Sequence, residues 1–171
     1  YNQTKAATIA IADHEGPVYL RFGRPSWPIF TDPEEKFEIG KAQKMISGTD
    51  VTIMSYGHMV WKSIEAEAIL QADDISVEVI NMHTVKPLDV RAVLNAVKKT
   101  GCIVTVEEHN INGGLGESVA RVLGQNEPCP QEFVAVNDSF GESGTPDQLL
   151  EKYGLSTNNI VLAAKRAISR K

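Results

Sequence analysis

The sequence predicts an α/β protein, a three-layer fold with a mostly parallel sheet and helices on both faces. Two observations lead there. From Phe37 onward, short strand-like runs alternate regularly with helix-period segments. Helix-start signals also stand where those segments should begin, at Asp89 and at Thr145-Pro146-Asp147-Gln148.

Taken in order, residues 3–13 are rich in helix formers (Lys5, Ala6, Ala7, Ala10, Ala12) and predict a helix. Gly16-Pro17 breaks it, and Val18–Phe22 follows with strand alternation: Val18, Leu20 and Phe22 on one face, Tyr19 and Arg21 on the other. Residues 23–36 hold Gly23, three prolines and Glu34-Glu35, which predicts a linker and a domain boundary. Phe37–Ser47 is weakly patterned and fits an edge strand. Val51–Tyr56 is a clearer strand, and the helix after it, ending near Ala72, presents Trp61, Ile64 and Ala68 on one face.

Val77–Met82 is the next strand, ended by Lys86-Pro87. Asp89 can cap a helix whose Val90, Val93, Leu94 and Val97 fall at i, i+3, i+4 and i+7. Cys102–Val106 is the third core strand, followed by Gly113-Gly114-Leu115-Gly116 and a helix through Leu123. Phe133–Val136 is the fourth. Thr145 starts a helix that Gly154 can end, and the last helix buries Ile160, Ala163, Ala164, Ala167 and Ile168.

Composition narrows the function. With 42% hydrophobic and 23% charged residues, the 171-residue chain resembles an ordinary globular protein. A net charge of -5 gives no basic field for nucleic acid or an anionic membrane. No apolar stretch approaches a membrane span, and the first residues lack the apolar core of a signal peptide. Cys102 and Cys129 form no disulfide framework or metal knuckle, so a reducing cytoplasm is the expected setting.

Three places could carry chemistry. The glycine turn at 113–116 follows a strand and opens a helix, where backbone amides can hold an anion. Val119 stands where a dinucleotide fingerprint needs a small residue, however, and Glu117 opposes a pyrophosphate, so a structural turn is preferred. Glu107-Glu108-His109, at the end of the third core strand, could do acid–base work or form a subunit contact, and the contact is preferred. Arg21 and Arg24 lie at the end of the first strand. A surface ion pair with Asp32, Glu34 or Glu35 and a phosphate or carboxylate site are equally open for them. His14, His58 and His83 show no metal spacing, Trp27 reads as packing in the linker, and no nucleophile elbow or P-loop is present.

Several stretches, in this order, resemble the C-terminal part of the transketolase family of thiamine diphosphate enzymes. They are Gly16–Pro25, Ile39–Ala42, Val85–Asp89, Thr105–His109, Gly113–Glu117 and Ser143–Pro146. The resemblance covers essentially the whole chain and is closest to the C-terminal subunit of transketolases split into two polypeptides. It implies that residues 1–36 are the helix–strand remnant of a pyrimidine-binding domain plus linker, and 37–171 the transketolase C-terminal domain. Thiamine diphosphate and Mg²⁺ are then held by an N-terminal portion or subunit, with none expected on this chain, in a dimeric assembly. Two other branches compete: deoxyxylulose-phosphate synthase and the beta subunits of 2-oxoacid dehydrogenases. The arginines together with His109 favour transketolase.

By the same resemblance, Arg24 matches the arginine that binds the sugar phosphate, and Arg21 an arginine of the synthase branch. The implied reaction moves a two-carbon ketol unit between sugar phosphates, and the chain alone is expected to be inactive. Glu107, His109, Gly113, Gly114 and Gly116 are candidates for an interface or effector contact without a catalytic step. A function of another class, a stand-alone interaction or regulatory module, would use that same edge.

Overall fold

The computed structural model describes residues 1–171. Its strands are β1 (Gln43–Ile46), β2 (Val51–Ser55), β3 (Val77–Asn81), β4 (Ile103–Asn110) and β5 (Gln131–Val136). Its helices are α1 (Asn2–Ala12), α2 (Met59–Ala72), α3 (Val90–Thr100), α4 (Leu115–Asn126), α5 (Pro146–Lys152) and α6 (Thr157–Ser169). The sheet order is β1-β3-β2-β4-β5; β2 to β5 run parallel, and β1 closes one edge antiparallel to β3.

Every residue of β2 and β3 is buried, as a parallel sheet covered on both faces requires. Alternate side chains feed two cores. Ile53, Val79 and Val104 meet α2 and α6 on one face, while Met54, Ile80 and Ile103 meet α3 and α4 on the other. The expected α/β three-layer arrangement is therefore present.

The helix signals act as anticipated. Asp89 Oδ1 accepts from Ala92 N at 2.9 Å to cap α3, and its Oδ2 accepts from Ala42 N at 3.0 Å, fixing the approach to β1. Gly101, at φ 71, ends α3 in the left-handed conformation.

Four details differ from the sequence pattern. Val18–Phe22 forms no strand, because no neighbouring strand lies alongside to complete a ladder. The edge strand is confined to Gln43–Ile46, and Phe37 instead packs against His83 with ring centroids 4.3 Å apart. Helix α2 buries Met59, Val60, Ser63, Ala66 and Leu70, whereas Trp61 and Ile64 are half-buried and Ala68 is exposed. Small residues let this face sit close to the sheet: Ser63 Oγ lies 2.8 Å from Met59 O and 3.0 Å from Ser55 Oγ. In α3 the stripe runs through Val93, Ala96 and Val97, leaving Val90 exposed.

Strand β4 also continues past Val106 to Asn110, so Glu107, Glu108 and His109 lie within the strand rather than beyond it. No helix is long and apolar enough to cross a membrane.

Candidate functional site

Sheet topology marks one place where a site should form. Strand β2 lies between β3 and β4, and its chain passes to α2 on one face, whereas β4 passes to α4 on the other. The crevice outside the carboxyl ends of β2 and β4 is thus a topological switch point, the usual ligand position in open α/β sheets. Tyr56, Gly57 and His58 enter it from β2, and Glu107 and Glu108 from β4.

Strand alternation sends the two glutamates in opposite directions. Glu107 is only 1% exposed. Its Oε2 accepts from Leu115 N at 2.7 Å and its Oε1 from Gly116 N at 2.8 Å, so its charge sits at the positive end of α4. Tyr56 Oη donates to Oε2 at 3.4 Å, and burial, with the Glu107 charge second, pushes the phenol up to about 12.

The glycines serve this contact. A Cβ on Gly114 would lie 2.2 Å from Glu107 Oε2, and one on Gly116 2.5 Å from the Phe133 ring. Gly113 takes φ 79 and donates to Glu117 Oε2 at 2.8 Å. The turn is a tight structural turn around the chain's own carboxylate.

Glu108 faces outward and gathers the leading segment. Arg21 Nη1 donates to the Glu108 carbonyl at 3.1 Å, and Nη2 lies 3.5 Å from its Oε2. His58 Nδ1 is 3.6 Å from that same Oε2. Trp27 stacks on the His58 ring, with centroids 4.4 Å apart and planes within 5°. Burial holds the imidazole below its ordinary value, and His58 Nε2 is buried without a partner.

Of the residues singled out from sequence, Arg21 is paired with Glu108, 87 residues away, rather than with Asp32, Glu34 or Glu35. Arg24 is exposed at a bend and belongs to none of the chain's ion pairs. His109 is exposed, its Nδ1 2.7 Å from Asn110 O, and stays apart from Glu107's contacts. Trp27 and His58 were missed as site residues. The signal for His58 was its place just after the end of a core strand, beyond Tyr56-Gly57. A cavity of about 280 Å³ between α1, residues 31–38 and β1 shares no residue with this cluster.

Comparison with known proteins gives the family of the chain. The family described as transketolase, C-terminal domain, matches residues 40–160. The chain belongs to the transketolase C-terminal domain family. It is 45% identical to a 6-deoxy-6-sulfo-D-fructose transketolase subunit of a Clostridium species, over 99% of this chain and 52% of that one. It is 33% identical to one of the subunits of the apulose-4-phosphate transketolase of Phocaeicola vulgatus, over 98% of this chain and 54% of that one. A solved split gene transketolase, an inactive beta4 tetramer, superposes with a TM-score of 0.96 at 43% identity, covering 99% of this chain and 56% of that chain. The chain spans about half the length of the curated relatives it matches.

The transketolase family implies thiamine diphosphate and a divalent metal. The helix end in this transketolase C-terminal domain that could cradle a diphosphate already holds Glu107, and a second anion there would meet a buried negative charge. No group of three His, Cys, Asp or Glu side chains is placed to hold a metal. At that helix end the residues present do not fit the cofactor's diphosphate.

Proposed function

We propose that this chain is the C-terminal part of a transketolase. Joined to a cofactor-binding portion or subunit, it supports thiamine diphosphate-dependent transfer of a two-carbon ketol unit between sugar phosphates. The observation that carries this reading is the reach of the likeness. The domain family accounts for residues 40–160, whereas the Clostridium subunit matches 99% of the chain, which takes in the leading segment as well.

That segment also presents apolar surface in need of cover: Tyr19 is 86% exposed and Phe22 65%. In our reading, residues 1–36 are the end of a pyrimidine-binding domain plus linker, and 37–171 are the C-terminal domain. The partner portion covers Val18, Tyr19 and Phe22 and supplies the cofactor with its Mg²⁺, in a dimeric, cytoplasmic assembly.

Arg24 is the residue of this chain that we place against substrate. Its guanidinium is exposed and free of a counter-ion, and its planar fork suits a phosphate. Anchoring the phosphorylated end would turn remote binding energy into alignment of the reacting carbon. Arg21 stands three residues before it.

The test is co-purification with a candidate cofactor-binding subunit, then assay with thiamine diphosphate and Mg²⁺. The complex should transfer ketol units and the 171-residue chain alone should not. Turnover by the chain alone, or an inactive complex, overturns the proposal. In the active complex, Arg24→Ala should lower kcat/KM for phosphorylated donors about 10- to 100-fold, the loss of charged hydrogen bonds to a phosphate. The loss should be much smaller for unphosphorylated donors, and equal losses would remove Arg24 as a phosphate anchor.

A further inference from the structure

The leading segment touches the switch-point crevice twice, through Arg21 and Trp27, and the two contacts converge. Arg21 Nη1 and Nη2 engage the carbonyl and Oε2 of Glu108 at 3.1 and 3.5 Å. That Oε2 lies 3.6 Å from His58 Nδ1, and the His58 ring carries Trp27 at 4.4 Å. The backbone therefore leaves the crevice at Arg21 and returns to it at Trp27. Residues 22–26 between them make a closed arc, bent at Arg24 and Pro25, with the Arg24 side chain out in solvent.

We propose that Arg21, Trp27, His58 and Glu108 are positioning residues that clasp this arc to the sheet edge and hold Arg24 where a substrate phosphate can reach it. The role given to Arg24 rests on the transketolase reading; the clasp rests on the contacts alone. The two arginines thereby divide the work. Both arms of the Arg21 fork are already committed to Glu108, so Arg21 ties the arc down while Arg24 stays available.

No one contact would suffice. A half-exposed ion pair contributes little, and a stacked ring pair adds only about 0.5–1.5 kcal/mol. Anchoring both ends of a short arc is different, because it removes most of the freedom of the residues between. Pro25 inside the arc and Pro28 just past it fix further backbone angles. His58 suits the part of platform: its ring is largely enclosed, and with Nδ1 turned to Glu108 its flat face is left to Trp27. The charged groups facing it are Glu108, Arg21 and Lys62.

The test cuts one end of the arc and watches the other. In a Trp61→Phe background, Trp27 is the chain's single tryptophan. Arg21→Ala should shift Trp27 emission to longer wavelength and increase its quenching by iodide, although Arg21 and Trp27 are six residues apart, while far-UV circular dichroism holds. Glu108→Gln, which keeps the side-chain shape, should act in the same direction. In the assembled enzyme, Arg21→Ala should raise KM for phosphorylated donors about tenfold, with a far smaller change in kcat. Combined with His58→Ala it should show strong non-additivity.

An unchanged Trp27 signal in both variants overturns the clasp, whatever Arg24→Ala does. A Trp27 that responds, together with an Arg24→Ala variant lacking any phosphate-specific loss, overturns the phosphate reading and leaves the clasp as a structural tie.

Discussion

Residues 13–36 and the sheet domain are held by different physics. Within β2 and β3 every residue is buried, whereas not one residue of 13–36 is, and only Leu20, Trp27, Phe30 and Thr31 are half-covered. The sheet domain rests on area removed from water, spread over dozens of side chains. The leading segment rests on a few contacts, among them Arg21 with Glu108, Trp27 on His58 and the edge of the core, Asn2 with the Thr31 carbonyl, and Phe30 beside Trp61 at 5.9 Å. A substitution in the first region should therefore register as lost stability, and one in the second as lost position. The adjacent residues Glu107 and Glu108 fall on opposite sides of that divide.

The sharpest break of the comparison is Glu107→Ala. It leaves Leu115 N and Gly116 N without their acceptor in a buried site and removes the negative charge from the α4 end. We expect a cost of about 3 kcal/mol, from the loss of hydrogen bonds to a charged group. For a chain of this size that lowers Tm by roughly 10 °C in a thermal melt. Glu107→Gln keeps an acceptor and should lose less. A Glu107→Ala melt within a degree of the parent would show that the crevice is not held this way.

That divide was half legible in the sequence. The sheet strands could be read because apolar runs such as Val51–Met54 are continuous, and helix caps such as Asp89 carry their own chemical signature. Ending β4 at Val106 hid the alternation that separates Glu107 from Glu108; with the strand run on to Asn110, opposite faces follow at once. In α2, apolar periodicity points to the face of Trp61 and Ile64. Close helix–sheet packing favours Ser63 and Ala66 instead. Arg21 has three acidic residues nearby in sequence, yet pairs with Glu108, a choice made by tertiary structure alone. Strand alternation at Val18–Phe22 was visible, but pairing is a property of neighbours and cannot be read from one segment.

The second prediction concerns pH and has a smaller effect. Burial lowers the pKa of His58 and of His83 in the folded chain, so the unfolded chain binds more protons than the folded one just below about 6.5. Stability is then full above that pH and is lost as pH falls through it toward the depressed folded values. His58→Gln should flatten the fall of Tm with acidification, leaving the part due to His83. The measurement is a series of melts between neutral pH and about pH 5, around the ordinary histidine value. An unchanged slope in the variant would mean that the His58 ring is not held neutral beneath Trp27.

The smallest effect on the chain itself should come from removing two exposed aromatic rings of the leading segment. Tyr19 and Phe22 are 86% and 65% exposed, so Tyr19→Ser and Phe22→Ser remove almost no buried area. In the isolated chain we expect Tm shifts within the range of ordinary surface substitutions, about 0.5 kcal/mol or less in stability. Joined to the cofactor-binding partner, the same side chains become buried in our reading, and a fully buried aromatic truncated there costs about 3 kcal/mol or more. In titration calorimetry the double variant should accordingly bind that partner at least a hundredfold more weakly, since each 1.4 kcal/mol is about tenfold in Kd. Silence in the melt paired with a large loss in binding would mark 13–36 as a segment that takes its energy from its partner. Equal affinity for parent and variant would instead leave those rings in solvent, and with them the argument that the leading segment completes a neighbouring domain.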